Sequence, residues 1–224
     1  MLNRIASSDV VVETIDSFQD YPLFPEEIKS LGNVVDRRRI EFATGRQCAR
    51  RALCSLGLTP SAILIGAGRE PIWPMGVVGS ITHCAGYCAA VVTKSSSILS
   101  IGADAEENLP LPEGVFELIA DTQERVGSTN LNAMTIHWDR LLFCAKEAVY
   151  KAWYNITKEW LDFSDCRIGW DPYQMPRSLT GGLICGDFVA HLKRSCRVDR
   201  RQIDEFQGRY IASPSHLATL VQVR

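Results

Sequence analysis

The residues of this 224-residue chain whose types and spacing could do chemistry are a few carboxylates and the cations near them. In Ile101-Gly102-Ala103-Asp104-Ala105-Glu106, a strand would alternate faces at every residue, so Asp104 and Glu106 would point the same way. Two convergent carboxylates that leave room for water and phosphate oxygens suit magnesium, a hard cation with oxygen ligands. Taken alone, an Asp-x-Glu pair is equally an ordinary solvated strand end.

The second group lies on a helical pattern, Phe143-Cys144-Ala145-Lys146-Glu147-Ala148-Val149-Tyr150-Lys151. Glu147 and Lys151 are one turn apart and Lys146 sits beside them, so one carboxylate and two cations cluster. Its ordinary reading is a surface ion pair that stabilises a helix by only ~0.3 to 0.5 kcal/mol. In Gly45-Arg46-Gln47-Cys48-Ala49-Arg50, two guanidinium groups at i and i+4 form a pair of forks that suits a phosphate. Arg37, Arg38 and Arg39 precede them and read as mostly solvated, because a helix spreads three consecutive residues around its axis. The last group is Gly68-Arg69-Glu70-Pro71-Ile72-Trp73-Pro74 with Ser80-Ile81-Thr82-His83, where Arg69 and His83 could meet anions and Trp73 could simply pack.

Two long helices must position these residues. Phe42, Ala49, Ala52, Leu53 and Leu56 recur at helical spacing from Asp36 to Leu56, with Gly57 as a C-terminal stop. Leu142, Ala145, Val149, Ala152 and Trp153 share a face over residues 139 to 154, and Asn155 could end that helix. Val77 to His83 and Tyr87 to Thr93 read as two strands joined near Ala85-Gly86, followed by a strand over Ile98 to Glu106. Further strands are expected at residues 9 to 14, 166 to 170, 182 to 190, 208 to 212 and 218 to 223. Short helices are expected from Glu26 and over Glu113 to Ala120. The expected class is α+β.

Composition narrows the setting. A chain of this length buries roughly 70% of its unfolded surface, and 46% hydrophobic with 22% charged residues excludes a disordered chain. The net charge of -2 gives no whole-molecule attraction for nucleic acid or acidic membranes, so any anion site must be local. No apolar stretch approaches the ~20 residues of a membrane span and no leader pattern opens the chain, so a cytoplasmic protein is expected. The eight cysteines fall mostly within apolar segments and read as reduced small hydrophobes. Cys84 and Cys88 are four apart, with no second pair at zinc-finger spacing.

In this order and together, the four groups resemble the signature blocks of the 4'-phosphopantetheinyl transferase superfamily, in its two-lobed class acting on synthase carrier proteins (surfactin-synthetase and enterobactin type). The resemblance spans about residues 20 to 170 and is strongest in Gly45–Arg50, Arg69–Pro74, Val78–Tyr87, Ile101–Glu106 and Phe143–Trp153. Beyond Trp170 it is carried by length and strand pattern alone. Thr82 stands where many relatives have Ser, which keeps a hydroxyl, and Asn155 where a Pro is frequent.

The resemblance implies a pseudo-twofold pair of similar α/β lobes with the active site between them. Residues 1–103 would face the nucleotide of coenzyme A, and residues 104–224 would carry the metal ligands and catalytic helix. It further implies coenzyme A as donor, the serine of an apo acyl or peptidyl carrier protein as acceptor, and adenosine 3',5'-bisphosphate as product. Asp104, Glu106 and Glu147 would hold magnesium or manganese against the pyrophosphate. Lys146 and Lys151 would neutralise its remaining charge. Arg46, Arg50, Arg69, Thr82 and His83 would take the pyrophosphate, the 3'-phosphate and the adenine end. Glu147 is the expected base, with Glu106 as the alternative. The segment Leu109 to Glu124, which follows the metal strand, is the expected carrier-docking surface, with Phe116 and Leu118 as its apolar contacts. A monomer is expected.

Two other readings use the same residues. A metal-dependent phosphohydrolase would activate water with these carboxylates in place of serine. A non-enzymatic reading makes the Arg-rich stretches 37 to 51 and 193 to 201 a binding surface for nucleic acid or acidic protein, against which the net charge argues.

Overall fold

A computed structural model of the chain describes residues 1–129, 136–170, 176–198 and 201–224. After a short 3-10 turn at Leu2–Arg4 come β1 (Val11–Ile15) and α1 (Pro25–Leu31). Pro25 opens α1 where its missing N–H costs nothing, and the Glu27 carboxylate reaches back to accept the Phe24 N–H at 3.0 Å. The long helix α2 (Asp36–Ser55) follows the expected periodicity and stops before Gly57, whose φ of +87° is the left-handed turn that ends it. Next come β2 (Val77–Cys84) and β3 (Tyr87–Lys94), joined at Ala85-Gly86 as the sequence suggested, with Gly86 at φ +71°. These strands form an antiparallel sheet in the order β1-β3-β2, and α2 packs on one face through Cys48, Ala49, Ala52 and Leu53.

The second sheet begins with β4 (Ser100–Glu107). Helices α3 (Val115–Ile119), α4 (Thr122–Thr129) and α5 (Trp138–Thr157) separate it from β5 (Cys166–Trp170), β6 (Arg177–Leu179), β7 (Leu183–Val198), β8 (Arg201–Ala212) and β9 (His216–Val223). The order is β4-β9-β8-β7-β5, antiparallel throughout, with β6 beside β7. Helix α5 covers this sheet with Leu142, Ala145, Val149 and Trp153. Among the described residues the fold is therefore mixed, with two sheets and five α-helices, as expected of an α+β chain.

Three expectations need correction. Asn155 does not end α5: its amide donates to Gly79 O (3.4 Å) and Ile101 O (3.1 Å), and the helix continues until Lys158 turns left-handed at φ 58°. Strands β7 and β8 run well past 182–190 and 208–212. Their outer ends pair through backbone at Cys196↔Ile203 and Arg197↔Gln202, where the residues are mostly exposed and lack an apolar alternation to read. Helix α4 and strand β6 carry too little apolar periodicity to have been seen.

A third apolar cluster lies between the sheets, where Tyr87, Ala89 and Val91 meet Ile101, Ala103, Ala105, Ala218 and Leu220. Leu2 and Ile5 seal it, fully or almost fully buried. The segment after them is tied to the final strand: Ser7 N–H donates to Gln222, the Gln222 amide donates to the Ser7 hydroxyl, and Arg224 pairs with Asp9 at 3.1 Å. All eight cysteines are free, and Cys54 alone is exposed. Among the described residues, no helix is long and apolar enough to cross a membrane.

Candidate active site

The site forms where the edge strands of the two sheets, β2 and β4, run side by side. They are joined by side chains instead of a backbone ladder. Ser80 Oγ donates to Ala103 O (3.3 Å) and accepts Ala103 N–H (3.1 Å). Two residues on, Thr82 Oγ1 accepts Ala105 N–H (2.9 Å) and donates to Asp104 Oδ1 (3.1 Å). Alternation along β2 puts these two hydroxyls on the seam and turns Ile81 and His83 toward α2.

Alternation along β4 sends Gly102, Asp104 and Glu106 to the face under α5. A Cβ at Gly102 would lie 2.0 Å from Ala148 O and 2.7 Å from Ala152 N, so the helix backbone sits directly on the strand. Ser100 Oγ donates to Ala152 O at 2.7 Å from the same face. Because helix and strand run in opposite directions here, Lys151 comes over Asp104 and Arg140 over Glu106. Lys151 Nζ donates to Asp104 Oδ1 (2.7 Å) and Ala103 O (3.1 Å), and Arg140 Nη1 pairs with Glu106 Oε2 at 3.2 Å.

The electrostatics follow from this layout. Burial works against the Lys151 charge, but Asp104 and Glu147 outweigh it and its pKa is raised. Burial also raises Glu106, with Asp104 adding and Arg140 opposing. Glu147 is raised chiefly by burial, with Lys151 pulling down and Asp104 pushing up. Glu147 makes no hydrogen bond or ion pair with any described residue, and its side chain borders a cavity of about 140 Å³ walled by Tyr150, Trp160, Leu161 and Phe163.

Each strand carboxylate keeps one oxygen back. Asp104 Oδ1 is taken by Thr82 and Lys151, while Asp104 Oδ2 is buried and has no hydrogen-bond partner. A buried, unpartnered carboxylate oxygen is costly, and a hard divalent cation is a partner that would fit it. Among the described residues, no three His, Cys, Asp or Glu side chains close into a ready-made cage. The donor set fits a cation that arrives with phosphate oxygens and water better than a permanently enclosed one.

On the other side of the seam, His83 stands beside α2. Arg38 Nη1 lies 3.4 Å from His83 Nε2, and Phe18 meets the imidazole edge-on at 6.2 Å. Burial lowers the His83 pKa, with Glu41 opposing and Arg38 adding, so the ring is neutral near pH 7. Since an arginine can only donate, Nε2 accepts and Nδ1 carries the proton. Arg69 is exposed on a tight turn at φ 68°. It borders a second cavity, of about 170 Å³, with Ile81, Lys151, Tyr154 and Asn155.

The structure thus brings Asp104, Glu106, Glu147, Lys151 and Thr82 near one another, with His83 within electrostatic reach of Asp104 and Lys151, and Arg69 sharing a cavity with Lys151. Three others are engaged with partners of their own. Arg50 is buried and pairs with Glu27 at 2.9 Å while donating to Pro22 O, so it is spent inside the first sheet's helix layer. Arg46 is buried over the Phe42 ring with Nε on Ile63 O (2.6 Å) and Nη2 on Leu64 O (3.4 Å); burial lowers its pKa to about 10. Lys146 is 2% exposed, and its ammonium meets Glu124, Ile119 O, Phe163 O and Cys166 O, each within 2.9 Å. Adjacent helix residues lie about 100° apart, which turns Lys146 into the core while Glu147 faces the cleft.

Two residues were missed. Arg38, read as solvated with its neighbours, is the arginine that α2 carries to His83. Arg140 precedes Glu147 by seven residues and Lys151 by eleven, so helical periodicity places all three on one face, and that spacing was legible.

Comparison with known proteins gives a consistent picture. A family profile described as the 4'-phosphopantetheinyl transferase N-terminal domain matches residues 26–93, and one described as the 4'-phosphopantetheinyl transferase superfamily matches residues 100–208. The chain is 47% identical over 184 residues to 4'-phosphopantetheinyl transferase PptT of Mycobacterium tuberculosis, covering 79% of this chain and 81% of that protein. It is 41% identical over 219 residues to 4'-phosphopantetheinyl transferase Svp of Streptomyces mobaraensis, covering 94% and 85%. Enterobactin synthase component D of Salmonella typhi is 34% identical over 133 residues, covering 57% and 52%.

Proposed function

Because this chain belongs to the 4'-phosphopantetheinyl transferase superfamily, it moves 4'-phosphopantetheine from coenzyme A to a carrier protein, and we propose that it does so at the β2–β4 seam. The observation that carries this placement is the unpartnered Asp104 Oδ2 beside the Lys151 ammonium, an anion and a cation poised for a metal-bound pyrophosphate. Asp104, Glu106 and Glu147 would hold magnesium or manganese. When bound, that cation supplies positive charge to the pyrophosphate oxygens and lowers their repulsion of an incoming nucleophile.

The protein groups divide the remaining work. Lys151, fixed by Asp104 and Ala103 O, neutralises charge on the leaving phosphate. Arg69 and neutral His83, with Arg38 beside it, line the cleft for the nucleotide end. The small cavity next to Glu147 is lined by Tyr150, Trp160, Leu161 and Phe163 together with Lys146 and Asp162, a mixed wall that suits the amide-bearing pantetheine arm. The carrier serine oxygen forms a bond to the β-phosphorus as the bond to the α,β-bridging oxygen breaks. Its proton passes to Glu147, and adenosine 3',5'-bisphosphate departs. Catalysis here is mostly positioning and charge stabilisation, which a rigid seam serves.

The two-lobed division, residues 1–103 and 104–224 related by a pseudo-twofold, belongs to this reading. In its favour, each half lays a 20-residue helix on an antiparallel sheet. The carrier surface is placed on the segment after β4. Phe116 packs against the α5 core, whereas Leu109 and Leu118 are exposed, so these two are the apolar contacts to test. The double variant Leu109→Glu/Leu118→Glu is expected to raise the carrier KM about tenfold, near 1.4 kcal/mol, with coenzyme A affinity unchanged. Steady-state kinetics with each substrate varied checks this, and an unaltered carrier KM would move the docking surface elsewhere.

The test of the function is direct. The protein is incubated with coenzyme A, magnesium and a panel of apo-carriers from fatty acid, polyketide and peptide synthases, with and without chelator, and the carriers are weighed. A phosphopantetheine mass that appears only with metal is the expected result. Coenzyme A cleavage with every carrier unmodified would instead favour the phosphohydrolase reading.

A further inference from the structure

Arg140 touches both Glu106 and the chain that leaves it. All three guanidinium nitrogens are committed: Nη1 to Glu106 Oε2 at 3.2 Å, Nε to Leu109 O at 3.2 Å and Nη2 to Pro110 O at 3.0 Å. The preceding residue completes the grip, since Asp139 Oδ2 accepts Leu111 N–H at 2.7 Å. The first turn of α5 therefore clasps the segment that exits β4, and one arm of the clasp holds a carboxylate.

We propose that Arg140 is a positioning residue, fixing Glu106 so that Oε1 stays free for the divalent cation while Oε2 is pinned. The inference rests on the reading that Asp104, Glu106 and Glu147 hold that cation. Glu106 lies near the end of β4, and a glutamate has three rotatable side-chain bonds, so its carboxylate needs an external hold to meet a cation in one geometry. The pair is only partly exposed, at 19% for Arg140 and 24% for Glu106, so water does not dissolve the contact. A planar fork can satisfy a carboxylate and two carbonyls at once, which a lysine ammonium on a flexible stem cannot reproduce. The arrangement parallels Asp104, whose Oδ1 is pinned by Lys151 and Thr82 and whose Oδ2 is left over. Cations from the two ends of α5 thus each take one oxygen of a neighbouring carboxylate.

The sign of the effect separates positioning from simple charge. Arg140 is a positive group beside a cation site, so by Coulomb repulsion alone its removal should tighten metal binding. Loss of a hold on a ligand should loosen it. Mn2+ binding to the full chain at saturating coenzyme A, followed by the EPR signal of free Mn2+, reads this difference without turnover. Arg140→Gln is expected to weaken Mn2+ about tenfold or more. Arg140→Lys, which keeps the charge, is expected to weaken it in the same direction. Asp139→Ala, which frees Leu111 but leaves Glu106 held, should stay near wild type. Thermal melts accompany each variant, and if Arg140→Gln does not fold, Arg140→Lys decides by the same criterion. Binding equal to or tighter than wild type in the Arg140 variants overturns the inference, as does equal weakening in Asp139→Ala. A wild-type protein that binds no Mn2+ overturns the metal reading and this inference together, a result distinct from the other two.

Discussion

Replacing Glu147 by glutamine is expected to lower phosphopantetheine transfer by about 10²- to 10⁴-fold, the contribution typical of a positioned general base, without loss of folding stability. The second half of that expectation comes from the surroundings of the residue. Glu147 is half-buried and has no hydrogen bond or ion pair with any described residue, and burial raises its pKa. A carboxyl whose folded pKa lies above its unfolded value binds its proton more readily when folded. It therefore adds stability at low pH and loses that contribution as pH rises through the window between the two values, leaving a net cost at neutral pH. The isosteric amide carries no such cost, so Glu147→Gln should melt at the wild-type temperature or slightly above it. A melt paired with a carrier mass assay checks both parts. Near-full transfer would remove Glu147 as base and as ligand, and a large fall in melting temperature would contradict its isolation.

The other large effect is expected at Gly102, which itself bears no titrating group. Its hydrogen lies where a Cβ would be 2.0 Å from Ala148 O, and the atoms opposing it belong to the α5 backbone, which cannot rotate away as a side chain could. Gly102→Val should destabilise the fold by about 3 kcal/mol or more. That corresponds to a fall in melting temperature of roughly 6 to 12 °C for a chain of this size. If α5 lifts to relieve the clash, Lys151 and Arg140 leave Asp104 and Glu106 together, so transfer by the folded fraction should fall as well. Thermal unfolding followed by single-turnover transfer below the transition reads both. A melting temperature within about 2 °C of wild type, with normal transfer, would mean the helix is not seated on the strand as described.

How much of this was legible in the sequence varies with the physical signal. Helix α2 was readable almost to its ends because its apolar repeat is regular and Gly57 punctuates it. The β2–β3 hairpin was readable from two apolar runs around Ala85-Gly86. The strand rule alone put Asp104 and Glu106 on one face, and the helical rule put Glu147 and Lys151 a turn apart; both geometries are seen. The direction in which Lys146 points was hidden because adjacency in sequence is not adjacency on a helix. Its four partners, from Ile119 to Cys166, lie 17 to 27 residues away. The partners of Arg50 were hidden for a similar reason. An Arg pair at i and i+4 looks the same whether it faces phosphate or a buried glutamate 23 residues earlier, and only packing distinguishes the two. The Ser80 and Thr82 stitches were illegible because they join residues more than twenty positions apart through hydroxyls that have no pattern to announce them.

The tie between the first ten residues and the last strand has a consequence for how the protein comes into being. Leu2 and Ile5 share an apolar cluster not only with Tyr87 and Val91 but also with Ala218 and Leu220, and Ser7 and Asp9 bond to Gln222 and Arg224. These polar ties join residues 215 positions apart in sequence. Sequence separations this long slow folding, because loop-closure entropy is spent before the contacts repay it. The inner face of the β1–β3–β2 sheet is completed by Ala218 and Leu220 of β9. The same strand pairs with β4 along its whole length, so a change that unseats β9 would open that face and loosen the strand carrying Asp104 and Glu106 together.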